Sequence, residues 1–287
     1  MTSSRLSIIV LGARGMLGTA MVHVLTQAGH QVHAIDRLQF DAARDSVRHL
    51  NFDGVNYVVN ALGLINRRMT TEADSFYLVN SVFPRVLADA CAARNVRLIH
   101  ISTDCVFDGR DGPYTEASET TAADLYGRSK ALGEPANALV IRTSIIGPER
   151  QHLYSLLAWF LAQSGSCRGY TNHHWNGMTT LQLSRVVDQI MQADLYVHGL
   201  RHVFSNDVSK YELLSLMREA YQRDIVIEPY EDAAAKDNRL RTVHPEFMAH
   251  LVIPNLRAQL AELPTVSDGQ GRWPAASSTP SLTGRVP

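Results

Sequence analysis

Ser7 to Leu11 reads SIIVL, an unbroken apolar run, and Gly12-Ala-Arg-Gly15-Met-Leu-Gly18 follows it without a spacer. A helical pattern then runs from Met16 to about Ala28, with Leu17, Met21, Val24 and Leu25 on one stripe, before Gly29-His30 closes it. A run without alternation suits a strand buried on both faces of a parallel sheet, and a parallel strand needs a crossover connection, usually a helix. Glycines at the junction let the chain turn tightly, approach a pyrophosphate closely and offer helix N-terminal amides to it. A glycine triplet alone is a weak signal, and a purely structural turn would use the same residues. The strand before it and the helix after it point to dinucleotide binding at Gly12, Arg14, Gly15, Met16 and Leu17.

The alternation repeats. Gln31 to Ile35 reads as a second strand ending in Asp36-Arg37, where a carboxylate accepts from an adenosine ribose and a guanidinium pairs with a 2′-phosphate, so NADPH and NADH both stay open. Val55 to Leu62 reads as a strand whose end, Ala61-Leu62-Gly63, passes close to a cofactor at the carboxyl edge of such a sheet. Glu72 to Arg94 carries a long helical pattern with Asn80 inside its apolar stripe, read as a buried amide with local partners in preference to a support for the site. Val96 to Ser102 and Leu139 to Ile146 are further strands. The expected fold class is α/β, a doubly wound parallel sheet. A chain of 287 residues, 45% hydrophobic and 19% charged, suffices for one large domain or one domain with a smaller lobe.

Ile101 to Glu134 concentrates the chemistry. Thr103 ends an apolar run, and Tyr126-x-x-x-Lys130 falls at helical spacing, which stacks the phenol and the ammonium on one face. A nearby ammonium lowers the phenol's pKa, so the tyrosine can exchange a proton with a substrate oxygen that Thr103 holds. A solvated face is the bland alternative for an isolated pair of this kind.

Beyond residue 150 the pattern changes. His152 to Gln163 reads as an amphipathic helix, and Gly165 to Thr180 as an irregular polar segment of the kind where binding residues gather. It holds His173, His174 and Trp175, the last able to line a sugar pocket, stack on a base or simply pack the lobe. Two adjacent histidines with no third ligand do not make a metal site. Leu181 to Leu195 is a helix and Arg201 to Phe204 a strand; Ser209-Lys-Tyr-Glu212 is a capping box opening a helix through Tyr221. Ile225 to Ile227 is a strand, Glu246 to Leu263 a last helix interrupted at Pro254, and 264–287 a disordered tail rich in Ser, Thr, Gly and Pro. The expected division is a cofactor domain over 1–150, with a strand and helix returning from 181–205, a substrate lobe over 151–263, and the tail. A net charge of −1 without a long basic run excludes a nucleic-acid footprint. The apolar run near the N-terminus is too short for a membrane span or signal core, so a cytoplasmic setting without membrane attachment is expected. Cys91, Cys105 and Cys167 are odd in number and unclustered, against a disulfide framework or zinc.

Taken together, GxxGxxG at 12–18, STDxVFDG at 102–109, PYxE at 113–116, YxxxK at 126–130 and Gly133-Glu134 resemble the extended short-chain dehydrogenase/reductase family, most of all its dTDP-4-dehydrorhamnose reductase branch. The resemblance follows the element order over residues 7 to 260 and is most specific between 101 and 148. It implies a Rossmann-type sheet with a smaller C-terminal α/β substrate lobe and NADPH- or NADH-dependent reduction of a nucleotide-linked 4-keto-6-deoxysugar. Thr103, Tyr126 and Lys130 match its catalytic positions, with Tyr126 and Lys130 also at the cofactor. Asp104, Cys105 and Trp175 are the expected substrate contacts, and a homodimer is a candidate assembly. Cys105 departs from the branch, which has tyrosine there. A cysteine resembles the epimerase-reductase branch, where a cysteine and a histidine act as acid and base; His173 or His174 would be its partner, and a thiol beside the lysine would have a lowered pKa. A small buried packing residue is the preferred reading of Cys105. A regulatory subunit that binds NADP without turning it over, and a redox-neutral epimerase, share the motif set.

Overall fold

Five strands from the first half of the chain and one from the second form a single parallel sheet. They are β1 (Ser7–Leu11), β2 (Gln31–Ile35), β3 (Tyr57–Asn60), β4 (Arg97–Thr103), β5 (Leu139–Thr143) and the strand Gly199–His202. The computed structural model describes residues 5–65, 73–150, 154–267 and 272–273. Spatial order is β2-β1-β3-β4-β5 and then Gly199–His202, every pair parallel. The chain leaves β1 for β2 on one side and then crosses to β3 on the other, so the reversal of direction falls between the carboxyl ends of β1 and β3, where a ligand crevice opens. The doubly wound α/β sheet read from the sequence is the fold observed.

Successive residues of β1 point to opposite faces. Ile8 and Val10 pack with Leu17, Met21 and Leu25 of helix α1 (Met16–Gln27) and with Leu183 and Val186 of the helix Thr180–Gln192. Ile9 and Leu11 pack with Phe83, Leu87 and Cys91 on the other face. Two-sided burial is why β1, β3 and β5 read as apolar runs without alternation.

The long helical pattern from Glu72 is not one regular helix. Residues 66–72 lie outside the described residues, and from Ala73 an α-helical turn (Ala73–Tyr77) passes into a π-helical segment (Leu78–Val82) and back to α-helix (Phe83–Ala92). Pro84 has no N–H for the Asn80 carbonyl four residues back, and the bulge absorbs that missing bond.

A second core brings Leu157, Phe160, Leu213, Met217, Ile225, Leu256 and Leu260 together with Ala20 and Val24 of α1. The polar segment 165–180 is not irregular, as expected, but strand-rich. Gly165–Tyr170 pairs with Ile225–Tyr230, His173–Trp175 lies between Val208–Ser209 and Lys236–Asp237, and Met178–Thr179 pairs with Ile145–Ile146. Each partner except the last comes from more than thirty residues further on, which local pattern does not report. The helix expected from His152 is Leu156–Leu161, capped by Ser155, with 151–153 outside the described residues. The expected capping box is present: Ser209 and Glu212 satisfy each other's backbone amides at the start of Lys210–Ala220.

The tail expected from Pro264 is corrected at its start, because Leu256–Val266 is one helix that contains Pro264. Further on, the Trp273 amide donates to the Glu149 carbonyl at 3.0 Å and its ring lies 5.2 Å from His23. Residues 268–271 and 274–287 lie outside the described residues. No described helix is long and apolar enough to cross a membrane.

Candidate active site

At the carboxyl end of β1 the chain folds back on its neighbours. Gly12 and Ala13 both donate to the Ile35 carbonyl, at 3.0 and 3.1 Å, and Gly12 has φ +79°. A Cβ on Gly12 would lie 3.0 Å from Leu62 and 3.2 Å from the Ala61 carbonyl, and one on Gly18 would lie 2.0 Å from the Gly12 oxygen. Only glycine lets the turn, α1 and the Ala61-Leu62 segment close together. Gly15 caps α1 with no side-chain hydrogen bond of its own, so the first-turn amides keep their capacity for an anion. The residues present therefore fit a dinucleotide pyrophosphate over Gly12 to Leu17. Leu17 belongs to the core and offers its backbone alone, whereas Met16 is half-buried.

Arg14 and Asp36 meet at one corner, Nε to Oδ2 3.0 Å, and Asp36 also accepts from the Leu38 amide at 2.8 Å. Arg37 pairs with Asp41 at 3.2 Å. Ala61 and Leu62 are half-buried and Gly63 is exposed beside them.

The helix Leu125–Leu132 starts at Asp124, whose carboxylate accepts from the Gly127 amide at 2.7 Å, and lies across the end of β4. Lys130 is buried, donating to the Ile101 carbonyl at 2.7 Å and facing His100 Nε2 at 3.5 Å. Burial lowers its pKa to about 8, with Glu134 pulling the other way. Glu134 is held by Arg142 through two hydrogen bonds, at 2.8 and 2.7 Å, and by the Ser102 hydroxyl at 2.6 Å. Tyr126 is half-buried. Burial pushes its phenol above its ordinary pKa, nearby Cys105 and the carboxylates Asp104 and Asp124 add to this, and a hydrogen bond with Thr103 opposes it. The lowering expected from Lys130 is therefore not what this structure has, because burial dominates and the lysine is turned onto the β4 carbonyl.

Thr103 is buried, accepting from the Cys105 amide at 3.1 Å and donating to Asp104 at 3.2 Å. Asp104 is buried too. Burial raises its carboxyl to about 6 against hydrogen bonds from Ser144, Thr103 and Cys105 and the charge of Lys210. Asn80, read as a locally satisfied amide, bridges instead. It accepts from the Leu64 amide at 2.9 Å and donates to the Leu64 carbonyl and the Ser129 hydroxyl, both at 3.0 Å, so it ties the segment after Gly63 to the helix of Tyr126 and Lys130.

A cleft of about 510 Å³ opens over this end of β4. Asp104, Cys105 and Ser144 form one side of it, and His173, His174 and Trp175 another. The expected substrate contacts Asp104, Cys105 and Trp175 are thus brought together. Cys105 is not the small buried packing residue expected: it is accessible from the cleft. Its thiol lies 3.6 Å from Asp104, and crowding by protein atoms together with the Asp104 charge pushes it up to about 12, the opposite of the lowering an acid-base thiol would need. His173 Nε2 is taken by Asp232 at 3.0 Å and the Ala234 carbonyl at 3.2 Å, while its ring stacks on Tyr170 at 4.4 Å.

Sequence reasoning missed Lys210 and Lys236 in the cleft and His100 and Asn60 beneath Lys130. One signal was available. Of the 27 lysines and arginines in the chain, only Lys130, Lys210 and Lys236 are lysines, and all three border this site.

The RmlD substrate binding domain family matches the chain over residues 6–244. The dTDP-4-dehydrorhamnose reductase of Mycolicibacterium smegmatis is 37% identical over 147 residues, 48% of this chain and 45% of that protein, so the chain spans about half the length of such curated relatives. Methionine adenosyltransferase 2 subunit beta of Rattus norvegicus is 26% identical over 241 residues, 75% of this chain and 72% of that protein. Among solved structures, the dTDP-4-dehydrorhamnose reductase of Bacillus anthracis in complex with NADP superposes with a TM-score of 0.76 at 17% identity, covering 90% of this chain and 98% of that one.

Proposed function

We propose, for a chain that belongs to the RmlD substrate binding domain family, that it uses NADPH or NADH to reduce the keto group of a nucleotide-linked 4-keto-6-deoxysugar. One observation carries the reading: the dinucleotide cradle at Gly12 and the cleft over Asp104 open on the same carboxyl edge, with the Tyr126–Lys130 helix beside both.

In this reading Gly12, Arg14, Gly15, Met16 and Leu17 hold the pyrophosphate, Asp36 and Arg37 border the adenosine ribose, and Ala61, Leu62 and Gly63 line the path toward the nicotinamide. Bound there, the cofactor supplies hydride to the carbonyl carbon. Tyr126 gives its phenolic proton to the developing alkoxide oxygen, and Thr103 keeps that oxygen within hydrogen-bond reach. A phenol raised by burial is fully protonated before the reaction, as a proton donor has to be. Lys130 donates to the nicotinamide ribose and to the phenolate that Tyr126 becomes, which its N–H groups do in either charge state. Asp104 accepts from a sugar hydroxyl, Trp175 lines the sugar or base, and the ammonium groups of Lys210 and Lys236 face the anionic diphosphate. Cys105 contacts the sugar without acting as acid or base, which its raised thiol supports. The setting is cytoplasmic. The assembly proposed is a homodimer, supported by the exposed side chains of Leu78 and Val82 on the π-helical segment, of Val86 on the helix that continues it, and of Leu132.

Supplying the protein with dTDP-4-dehydrorhamnose and each reduced nicotinamide tests this. Oxidation of one of them with formation of a single alcohol is the expected result. Cofactor binding with no oxidation against any nucleotide 4-ketosugar would replace the reading with a non-catalytic subunit, and solvent deuterium at the carbon beside the carbonyl would replace it with an epimerase-reductase.

A further inference from the structure

Asn60 on β3 and His100 on β4 are paired positions of neighbouring strands, and both are 0% exposed. Their contacts fix where the protons are. The Leu62 amide can only donate, and it points at Asn60 Oδ1 at 3.2 Å. This settles the orientation of the Asn60 amide, whose Nδ2 then donates to His100 Nδ1 at 3.0 Å. A ring nitrogen that accepts a hydrogen bond carries no proton. Burial, with Lys130 beside it, holds His100 well below its ordinary pKa, so the ring is neutral and its one proton sits on Nε2. Nε2 is the nitrogen that faces Lys130 Nζ, at 3.5 Å. An N–H and an ammonium are both donors, so this arrangement is favourable only when Lys130 is a neutral amine whose lone pair accepts.

We infer that the Leu62 amide, Asn60 and His100 form a tautomer lock that biases Lys130 toward its neutral form. The inference rests on the reading of Lys130 as an active-site group and on no particular substrate. Burial acts in the same direction, and the Ile101 carbonyl accepts from either form of the amine. The titratable groups carried by Lys130's own segment and by the elements packed on it are Tyr126, Arg128 and Glu134, Arg97 and His100 of β4, Asp104 and Cys105 just after it, and Asp74 and Tyr77 of the turn Ala73–Tyr77; Asn80 and Ser81 of the π-helical segment are neutral. Glu134 opposes the lock, and its charge is taken up by Arg142. Lys130 is then a group that takes up and releases a proton near neutral pH instead of a permanent cation. The lock begins at the amide of Leu62, in the segment that borders the cofactor path, so displacing that amide frees the Asn60 side chain and with it the charge on Lys130. His100 and Asn60 are positioning residues that act through the lysine.

Two NMR measurements on the whole chain test the lock without relying on turnover. Nitrogen-15 spectra of the imidazoles, with His100 identified by its loss in His100→Phe, are expected to show the Nε2–H tautomer; an Nδ1–H tautomer would overturn the inference outright. With lysine carbon-13 labels the chain gives three resonances, and Lys130→Met identifies one. Asn60→Asp presents an acceptor to Nδ1, moves the ring proton there and leaves Nε2 to accept from an ammonium. The Lys130 pKa should rise by at least about one pH unit. On a His100→Phe background, where only the added charge acts, the rise should be smaller. Equal rises on the two backgrounds would sink the lock, and if Asn60→Asp does not fold the tautomer of the parent protein decides. Failure of either measurement leaves the reductase reading standing, and absence of reductase activity leaves the lock measurable.

Discussion

The glycine cradle proposed for the cofactor and the wall of the cleft over Asp104 are made in different ways. The cradle comes from seven consecutive residues whose backbone is the part proposed to bind, and its requirement is the lack of side chains at Gly12 and Gly18. The cleft wall is assembled from residues within 104–108, 122–124, 144, 173–175, 210 and 236–238, six stretches brought together by the ends of the main sheet and the small three-stranded sheet. A backbone-built site writes its requirement locally, as glycine between a strand and a helix. A side-chain-built site distributes it, and each residue on its own looks like an ordinary loop or strand position.

The comparison breaks most visibly where the two halves meet. Tyr126→Phe should lower turnover about a hundredfold to ten-thousandfold while cofactor affinity, read by fluorescence titration, stays as it was; a matching loss of cofactor affinity would mean that the phenol belongs to the cradle. On the cradle side, Gly18→Ala places a methyl 2.0 Å from a backbone oxygen that has no rotamer to yield with. A loss of about 1–3 kcal/mol in denaturant melts is expected, together with weaker cofactor binding, whereas parent-like values would show that α1 slides freely on the turn.

The wall responds to pH. Asp104 is raised to about 6 from an ordinary value of 3.8, so its ionisation costs the folded state stability as pH rises from about 4 to about 6. Asp104→Asn should therefore gain on the parent by up to about 3 kcal/mol at neutral pH and lose that advantage below about pH 4. Thermal melts of the pair at both ends of that window check it, and a pH-independent difference would mean that the carboxyl is not buried as described. Lys236 is exposed, so Lys236→Met should raise KM for the nucleotide sugar by no more than about fivefold with kcat unchanged; a fall in kcat instead would move this lysine from binding to chemistry. The smallest effect is expected from Cys105→Ala, which should leave the rate and product stereochemistry of reduction intact in an assay of product configuration. Loss of solvent exchange at the substrate carbon in that variant would restore the thiol as an acid-base group.

What could be read in the sequence follows the same divide. β1, β3, β4 and β5 are buried on both faces, so their apolar runs carried the sheet. Gly12 to Gly18 carried the cradle, and Thr103, Tyr126 and Lys130 carried the helix at the end of β4. The π-helical segment was written in Pro84 but sits inside a stripe that otherwise continues a helix. The strands within 165–180 are short and polar, and all but Met178–Thr179 take their partners from more than thirty residues further on. His100 does not stand out in VRLIHIS because one polar residue leaves a strand pattern undisturbed, although a histidine on a strand buried on both faces needs partners. The habits of free cysteine point Cys105 to packing, and only the cleft above it shows the residue exposed.

The scarcity of lysine has a practical side. In a chain that otherwise uses arginine for its positive charge, primary amines apart from an α-amino group occur only at Lys130, Lys210 and Lys236. Lys130 is enclosed, while Lys210 and Lys236 border the cleft. An acylating reagent, an amine-coupling resin or an enzymatic acyl transfer to lysine would leave the outer surface almost untouched and mark the entrance to the site, so the degree of labelling would report whether that entrance is open.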